Sequence, residues 1–126
     1  MIHLLLVMAG GAAGSALRYG VSAALSAVPS LFPWSTILVN IVGSFVLGFV
    51  AGSVGTPLEL QQNTRMLLGT GLCGGFTTYS AFAVESVVLA EQRAYLLLGT
   101  YIICTLVGGA MAAWAGILLC RGVSTS

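Results

Sequence analysis

Four apolar stretches, each near the roughly 20 helical residues needed to cross a hydrocarbon core, take up most of this 126-residue chain. They fall at about Ile2–Leu25, Trp34–Val54, Arg65–Ala90 and Ala94–Leu119. The connectors are short: Ser26–Pro33 with two prolines, Gly55–Thr64 with Gly-Thr-Pro, and the charged turn at Glu91-Gln92-Arg93. Nothing is left over for a soluble domain, so residues 1–126 are expected to form a single four-helix transmembrane domain of the all-α class. The composition agrees, with 58% hydrophobic and 6% charged residues and a mean hydropathy of +1.05, against about 25% charged in soluble domains. The first stretch lacks Lys and Arg in its N-terminal region and runs on through Arg18 without a clear cleavage pattern. It reads as a retained first helix rather than a signal peptide.

One run breaks the apolar pattern. Gly74-Gly75-Phe76-Thr77-Thr78-Tyr79-Ser80-Ala81-Phe82 sets a glycine pair, the hydroxyls of Thr77, Thr78 and Ser80, and aromatics that include Tyr79 and Phe82 inside the third stretch. In hydrocarbon every backbone N–H and C=O needs a partner, so a local break is tolerable only where it is buried in protein or lines a hydrophilic path. A third helix broken near mid-membrane is therefore expected, with an ion pathway or an ion site at the break.

Several function classes drop out. With no Lys or Asp, four Arg and three Glu, the chain has no basic patch for nucleic acid and no acidic tail. Cys73, Cys104 and Cys120 sit in apolar surroundings without CxxC spacing and read as small core residues. His3 stands alone, and no Ser/His/Asp or Cys/His constellation and no paired carboxylates suit catalysis. The chain is not expected to be an enzyme.

Orientation signals nearly cancel. Four spans put both termini on one side, so Arg65 and Arg121 face one compartment while Arg93, with Arg18 if it lies near the first helix end, faces the other. A chain so balanced can insert both ways, and two opposite copies can pair as an antiparallel dimer; a single orientation set by one dominant arginine is the alternative. Four helices enclose little polar volume, which also favours a pore between copies. Small residues recur at Gly10–Gly14, Gly48–Gly52 and Gly108-Gly109, where helix backbones can approach closely.

Polar residues within spans are expensive and informative. Thr36, Asn40 and Ser44 recur every four residues on the second helix and so share one face, and Tyr101 and Thr105 share the same spacing on the fourth, continuing to Gly109. Single Ser and Thr hydroxyls in such helices commonly bond back to their own chain. Asn40 is different, since its amide cannot satisfy all its donors and its acceptor within one helix. Uncharged N–H and O–H donors without a carboxylate suit a small anion, whereas cation channels use carbonyl or carboxylate rings. Tyr79 and Phe82, three apart, either pack structurally or turn electropositive ring edges to the path.

The run Gly74 to Phe82, followed by Glu85, resembles the signature GG-x-TTFSTF-x-x-E of the Fluc (CrcB-type) fluoride channels. Gly10-Gly11-Ala12-Ala13-Gly14-Ser15-Ala16-Leu17-Arg18-Tyr19 is similar to that family's first-helix pattern, and Pro33 to Phe45, through Asn40 and Gly43-Ser44, to its second. The similarity covers all four spans. It implies an antiparallel dual-topology homodimer in a prokaryotic inner membrane, with two fluoride pores and one central structural sodium ion. By position, Asn40 matches the pore asparagine, Tyr79 and Phe82 the two aromatics of the phenylalanine box, and Ser80 the serine between them. Tyr101, Thr105 and Gly109 fall on the fourth-helix polar track and Arg18 on the first-helix arginine, which either draws anions into a vestibule or pairs with Glu85. Gly74 and Thr77 match the residues whose main-chain carbonyls hold sodium. Two positions depart from the pattern: Tyr79 stands where Phe is common, and Gly109 where Ser is common.

A rival of another class is a proton-coupled exporter of the small multidrug-resistance type, which needs a titratable membrane carboxylate. Here Glu85 is the one acid well inside a span. A non-transporting subunit whose polar stripes only join helices is a third reading.

Overall fold

The computed structural model describes residues 1–53 and 58–124. Among these, every regular element is helical: α1 (Ile2–Leu25), α2 (Trp34–Gly52), α3 (Leu58–Thr64), a π-helical stretch (Arg65–Cys73), α4 (Gly74–Phe76), α5 (Tyr79–Glu91) and α6 (Tyr95–Ser124). Four segments are long and apolar enough to cross a membrane: Ile2–Leu25, Trp34–Gly52, Leu60–Glu91 and Tyr95–Val123. The expected end of the second helix at Val54 and the Gly-Thr-Pro turn after it lie outside the described residues.

Two helices extend beyond their apolar runs. The third span is helical from Leu58 rather than Arg65, because Leu, Glu and Gln are good helix formers and carry the helix past the hydrocarbon-compatible residues. The last helix continues from the expected Leu119 to Ser124 and places Arg121 in its final turn, where a cation complements the helix dipole.

Between α5 and α6 the chain reverses in a tight turn. Arg93 takes a left-handed conformation (φ 56°), its N–H donating to the Ala90 carbonyl while Ala94 N–H donates to that of Leu89, both at 3.0 Å. These are the two bonds of a Schellman cap. The position usually favours Gly, but the long Arg side chain is exposed, and the two carbonyls it helps to satisfy would otherwise be left open at the helix end.

Packing follows the glycines. On α1, a Cβ at Gly10 would run into the Leu67 carbonyl, and one at Gly14 into the Leu72 carbonyl, so this helix lies backbone to backbone against the π-helical stretch. Gly75 approaches Gly11 in the same way, its hypothetical Cβ 2.5 Å from the Gly11 carbonyl oxygen. A second seam joins α2 and α6, the most extensively packed pair: Gly48 sits against the Ala113 carbonyl and Gly116 against the backbone of Phe45 and Phe49. The small-residue motifs that the sequence offered for pairing between copies thus work within one chain.

These seams predict an asymmetry between glycines. Gly48→Ala would drive a methyl into the α6 backbone and should destabilise by about 1–3 kcal/mol, the usual range for overpacking. Gly99→Ala has no atom within 4 Å to meet and should be neutral or gain up to about 1 kcal/mol in helix propensity. Thermal unfolding of both variants in detergent, followed by size exclusion, checks the order, and equal midpoints would contradict it.

Candidate functional site

The site is built around an interruption of the third span. Thr77 (φ −80°, ψ 160°) and Thr78 (φ −151°, ψ 116°) are extended, so α4 ends at Phe76 and α5 restarts at Tyr79. Thr78 is the N-cap of α5, and its hydroxyl oxygen accepts from Ala81 N–H at 3.2 Å, satisfying one of the open donors of a helix start.

Asn40 on α2 reaches across to the same residue. Thr78 N–H donates to Asn40 Oδ1 at 2.8 Å, and Asn40 Nδ2 donates to the Thr78 carbonyl at 3.1 Å. The amide therefore pairs with both backbone polar groups of one residue, as a neighbouring β-strand would, and keeps one N–H for the surroundings. In an unbroken helix, Thr78 N–H would close onto the Gly74 carbonyl and Ala81 N–H onto that of Thr77. Both donors are diverted, to Asn40 and to the Thr78 side chain. The carbonyls of Gly74 and Thr77 thus lose their helical donors.

Beside the break lies a cavity of about 340 Å³ whose lining includes Asn40, Ser44, Thr78, Tyr79, Phe82 and Thr105. Thr105 is buried, and its hydroxyl has no hydrogen-bond partner among the described residues. Phe82 lies between two other rings, 6.1 Å from Tyr79 and 5.2 Å from Tyr101 between centroids. Tyr79 is 81% exposed, so its ring stands at the open edge of the chain. Ser80 is also exposed, with its hydroxyl 3.3 Å from that of Thr78.

Tyr101, fully buried, belongs to a second cluster. Its hydroxyl donates to Glu85 Oε2 at 2.6 Å while Thr36 donates to Glu85 Oε1 at 2.9 Å. Two charge-assisted hydrogen bonds on separate oxygens hold the carboxylate in place. Sequence reasoning named Tyr101 but did not tie it to Glu85 and Thr36. Spacing places Thr36 one turn before Asn40 on the same face, but its pairing with Glu85 spans 49 residues and cannot be read from one helix.

Arg18 is half-buried and lines another concavity, of about 350 Å³, together with Ser15, Ser22, Thr36 and Glu85. The hydrogen bonds to Glu85 come from Thr36 and Tyr101, not from Arg18. The structure therefore gathers Asn40, Tyr79, Phe82 and Thr105 at one cavity. Tyr101 stands behind them in the Glu85 cluster and Arg18 at the neighbouring concavity. No group of three or more His, Cys, Asp or Glu side chains that could hold a metal occurs among the described residues, which leaves main-chain oxygens as the donors available near the break.

Comparison with known proteins gives a consistent assignment. Residues 5–117 match the family model described as CrcB-like protein, Camphor Resistance (CrcB). Relatives named fluoride-specific ion channel FluC include those of Gloeobacter violaceus, 45% identical over 94% of this chain and 95% of the relative, and Agrobacterium fabrum, 43% identical over 98% and 99%. The relative from Chelativorans sp. is 37% identical over 98% of this chain and 99% of its own length. With a family match across nearly the whole length and full-length relatives at this identity, the chain belongs to the CrcB-like protein family.

Proposed function

We propose that this protein is a passive fluoride channel that lets fluoride leave a prokaryotic cell across the inner membrane. The observation that carries the reading is a cavity beside a helix break in a membrane-spanning chain, lined by neutral donors and aromatic rings with no carboxylate among them. Its similarity to the FluC relatives points to the same ion.

Fluoride is small and strongly hydrated, and losing that shell in hydrocarbon without replacement would be prohibitive. The free N–H of Asn40 and the hydroxyl of Thr105 replace water with fixed donors. The ring edges of Tyr79 and Phe82 add diffuse positive potential without holding the ion too tightly to release. Ser80 adds an exposed hydroxyl beside the break, Tyr101 backs the Phe82 ring with its own hydroxyl committed to Glu85, and Arg18 concentrates anions at the neighbouring concavity. An inside-negative potential drives an anion outward by about 2.3 kcal/mol per unit charge per 100 mV, so no coupling ion is needed. Glu85 does not serve as the open proton-exchanging acid of an exporter in this scheme, since both its oxygens accept hydrogen bonds from neighbouring helices.

The working unit in this reading is an antiparallel dual-topology homodimer with two pores. Tyr79, Ser80 and Gly74 are exposed along the break, and in a membrane a second copy would cover them. Two copies crossing there near mid-membrane would aim the Gly74 and Thr77 carbonyls at one point on the two-fold axis. The residues present fit a monovalent cation, because the donors that would have closed onto those carbonyls are diverted and unwound carbonyls are suitable sodium ligands. Bound there, one sodium ion per dimer would neutralise the converging carbonyl dipoles and act structurally.

Reconstituted in liposomes, the protein should release fluoride rapidly without a proton gradient, as followed with a fluoride electrode. Asn40→Ala should reduce that flux greatly, because it removes the cavity donor and leaves two backbone groups of Thr78 unpaired, at about 1–3 kcal/mol each. Asn40→Asp should also reduce it, by adding like charge against the anion. Normal flux in both variants would take Asn40 out of the path, and release that requires a pH gradient would favour an exporter.

The aromatic pair separates ring from hydroxyl. Phe82→Ile should lower flux strongly, since it deletes the ring edge yet stays apolar, while Tyr79→Phe should be mild. The opposite order would make the Tyr79 hydroxyl the working group.

For the assembly, a single cysteine near the C-terminus, in a background lacking the native cysteines, should label from both faces of the membrane. A heavier monovalent cation soaked into dimer crystals should give one anomalous peak on the axis near Gly74 and Thr77. One-sided labelling of active protein would rule out dual topology, and a blank axis with full activity would rule out the structural sodium.

A further inference from the structure

Hydroxyls inside membrane helices usually bond back to a carbonyl one turn earlier. Among the described residues Ser86 Oγ donates to the Phe82 carbonyl at 2.7 Å, Thr100 Oγ1 to that of Leu96 and Thr77 Oγ1 to that of Cys73, both at 2.9 Å, and Ser26 and Ser53 do the same at helix ends. Thr105 does not, although its residue is only 9% exposed and its oxygen has no partner among the described residues. A buried hydroxyl without a partner calls for an explanation, and Thr105 is one of the residues that line the cavity.

Ser44 faces the same space. It lies one turn beyond Asn40 on α2 and lines the cavity with Thr105 and Gly109. A Cβ built on Gly109 would lie 3.4 Å from Ser44 Oγ, so the serine hydroxyl hangs over the face of α6 one turn past Thr105. That is the point at which α6 itself offers no side chain. We infer that Ser44 is a further anion-contacting residue, supplying from α2 the hydroxyl that α6 lacks at Gly109 and forming with Thr105 and Asn40 a neutral three-donor fluoride subsite. The inference rests on the channel reading above, and it adds to the path a residue on the helix opposite Gly109.

The geometry allows a transplant. Because the Cβ at position 109 meets Ser44 at ordinary contact distance, a serine fits there without moving backbone, and the hydroxyl can be moved from one wall of the cavity to the other. Ser44→Ala should slow fluoride efflux from liposomes by about tenfold or more, as expected for loss of one hydrogen bond to a charged group. The double variant Ser44→Ala/Gly109→Ser should recover most of the parental rate, which a purely structural role for Ser44 would not produce. Parental efflux from Ser44→Ala, or a double variant no faster than the single one while both elute as the parent does on size exclusion, overturns the role of Ser44 and leaves the channel intact. A parent protein that releases no fluoride overturns the channel and the subsite together.

Discussion

The two hydrogen bonds between Asn40 and Thr78 are the constraint on which the rest of this molecule depends. A helix can be interrupted inside a membrane only if the freed backbone groups find partners, each unpaired one costing several kcal/mol. Asn40 covers both groups of Thr78 at once, and the Thr78 hydroxyl covers the first donor of the restarted helix. With that done, α5 restarts at Tyr79 and packs on α6, with Phe82 against Tyr101 and Glu85 between Thr36 and Tyr101. Without the clamp, an unbroken third helix would satisfy itself, and nothing would hold open the cavity beside it.

The polar side chains divide by what they bond. Ser86, Thr100 and Thr77 return to their own helix; Thr36 and Tyr101 fix a carboxylate; Asn40 fixes a backbone. Only after these are assigned does the lining of the cavity become meaningful, because Thr105 and the second N–H of Asn40 remain as donors with no demand from the fold. Placing Glu85 under two donors also keeps its negative charge in a separate cluster from the neutral cavity wall, whose lining does not include it. In the proposed channel a fixed negative charge at that wall would repel the anion; Glu85 instead lines the neighbouring concavity together with Arg18.

Much of this was legible in the sequence, for physical reasons that differ by element. The spans follow from apolar length, since about 20 residues of helix match the bilayer. The extended pair Thr77-Thr78 falls on β-branched residues with little helical preference, whereas Gly74 and Gly75, read from the sequence as part of the break, are helical, and Gly75 packs against Gly11 of α1. The four-residue spacing of Thr36, Asn40 and Ser44 placed three polar groups on one face. It could not show that Thr36 and Asn40 have different partners, because those partners come from α5 and from the break, 49 and 38 residues away. The glycine motifs were visible too, yet their use inside the chain rather than between chains depends on which helices meet. The π-helical stretch left no signal, since Arg65–Cys73 reads as an ordinary apolar helix; in the structure α1 packs against it through Gly10 and Gly14.

The two glycine seams explain why the break can move ions without loosening the protein. Helices α1, the π-helical stretch and α4 form one backbone-tight unit, and α2 with α6 forms another. Neither seam involves α5, which is held instead by the hydrogen bonds of Glu85, by the Phe82–Tyr101 ring contact at 5.2 Å between centroids, and by Leu89, buried in one cluster with Ile37 and Tyr101. Ring and hydroxyl contacts tolerate small rotations that a glycine–carbonyl contact does not, because interdigitated backbones have no slack to give. The cavity lies where the two kinds of contact meet: one part of its wall, with Asn40, Ser44, Thr105 and Gly109, belongs to the backbone-tight α2–α6 pair, and the rest, with Thr78, Tyr79 and Phe82, to the restarted helix. A dehydrated ion passing between Asn40, Thr105 and Phe82 would be met by side chains that can adjust by fractions of an ångström, mounted on helices that cannot.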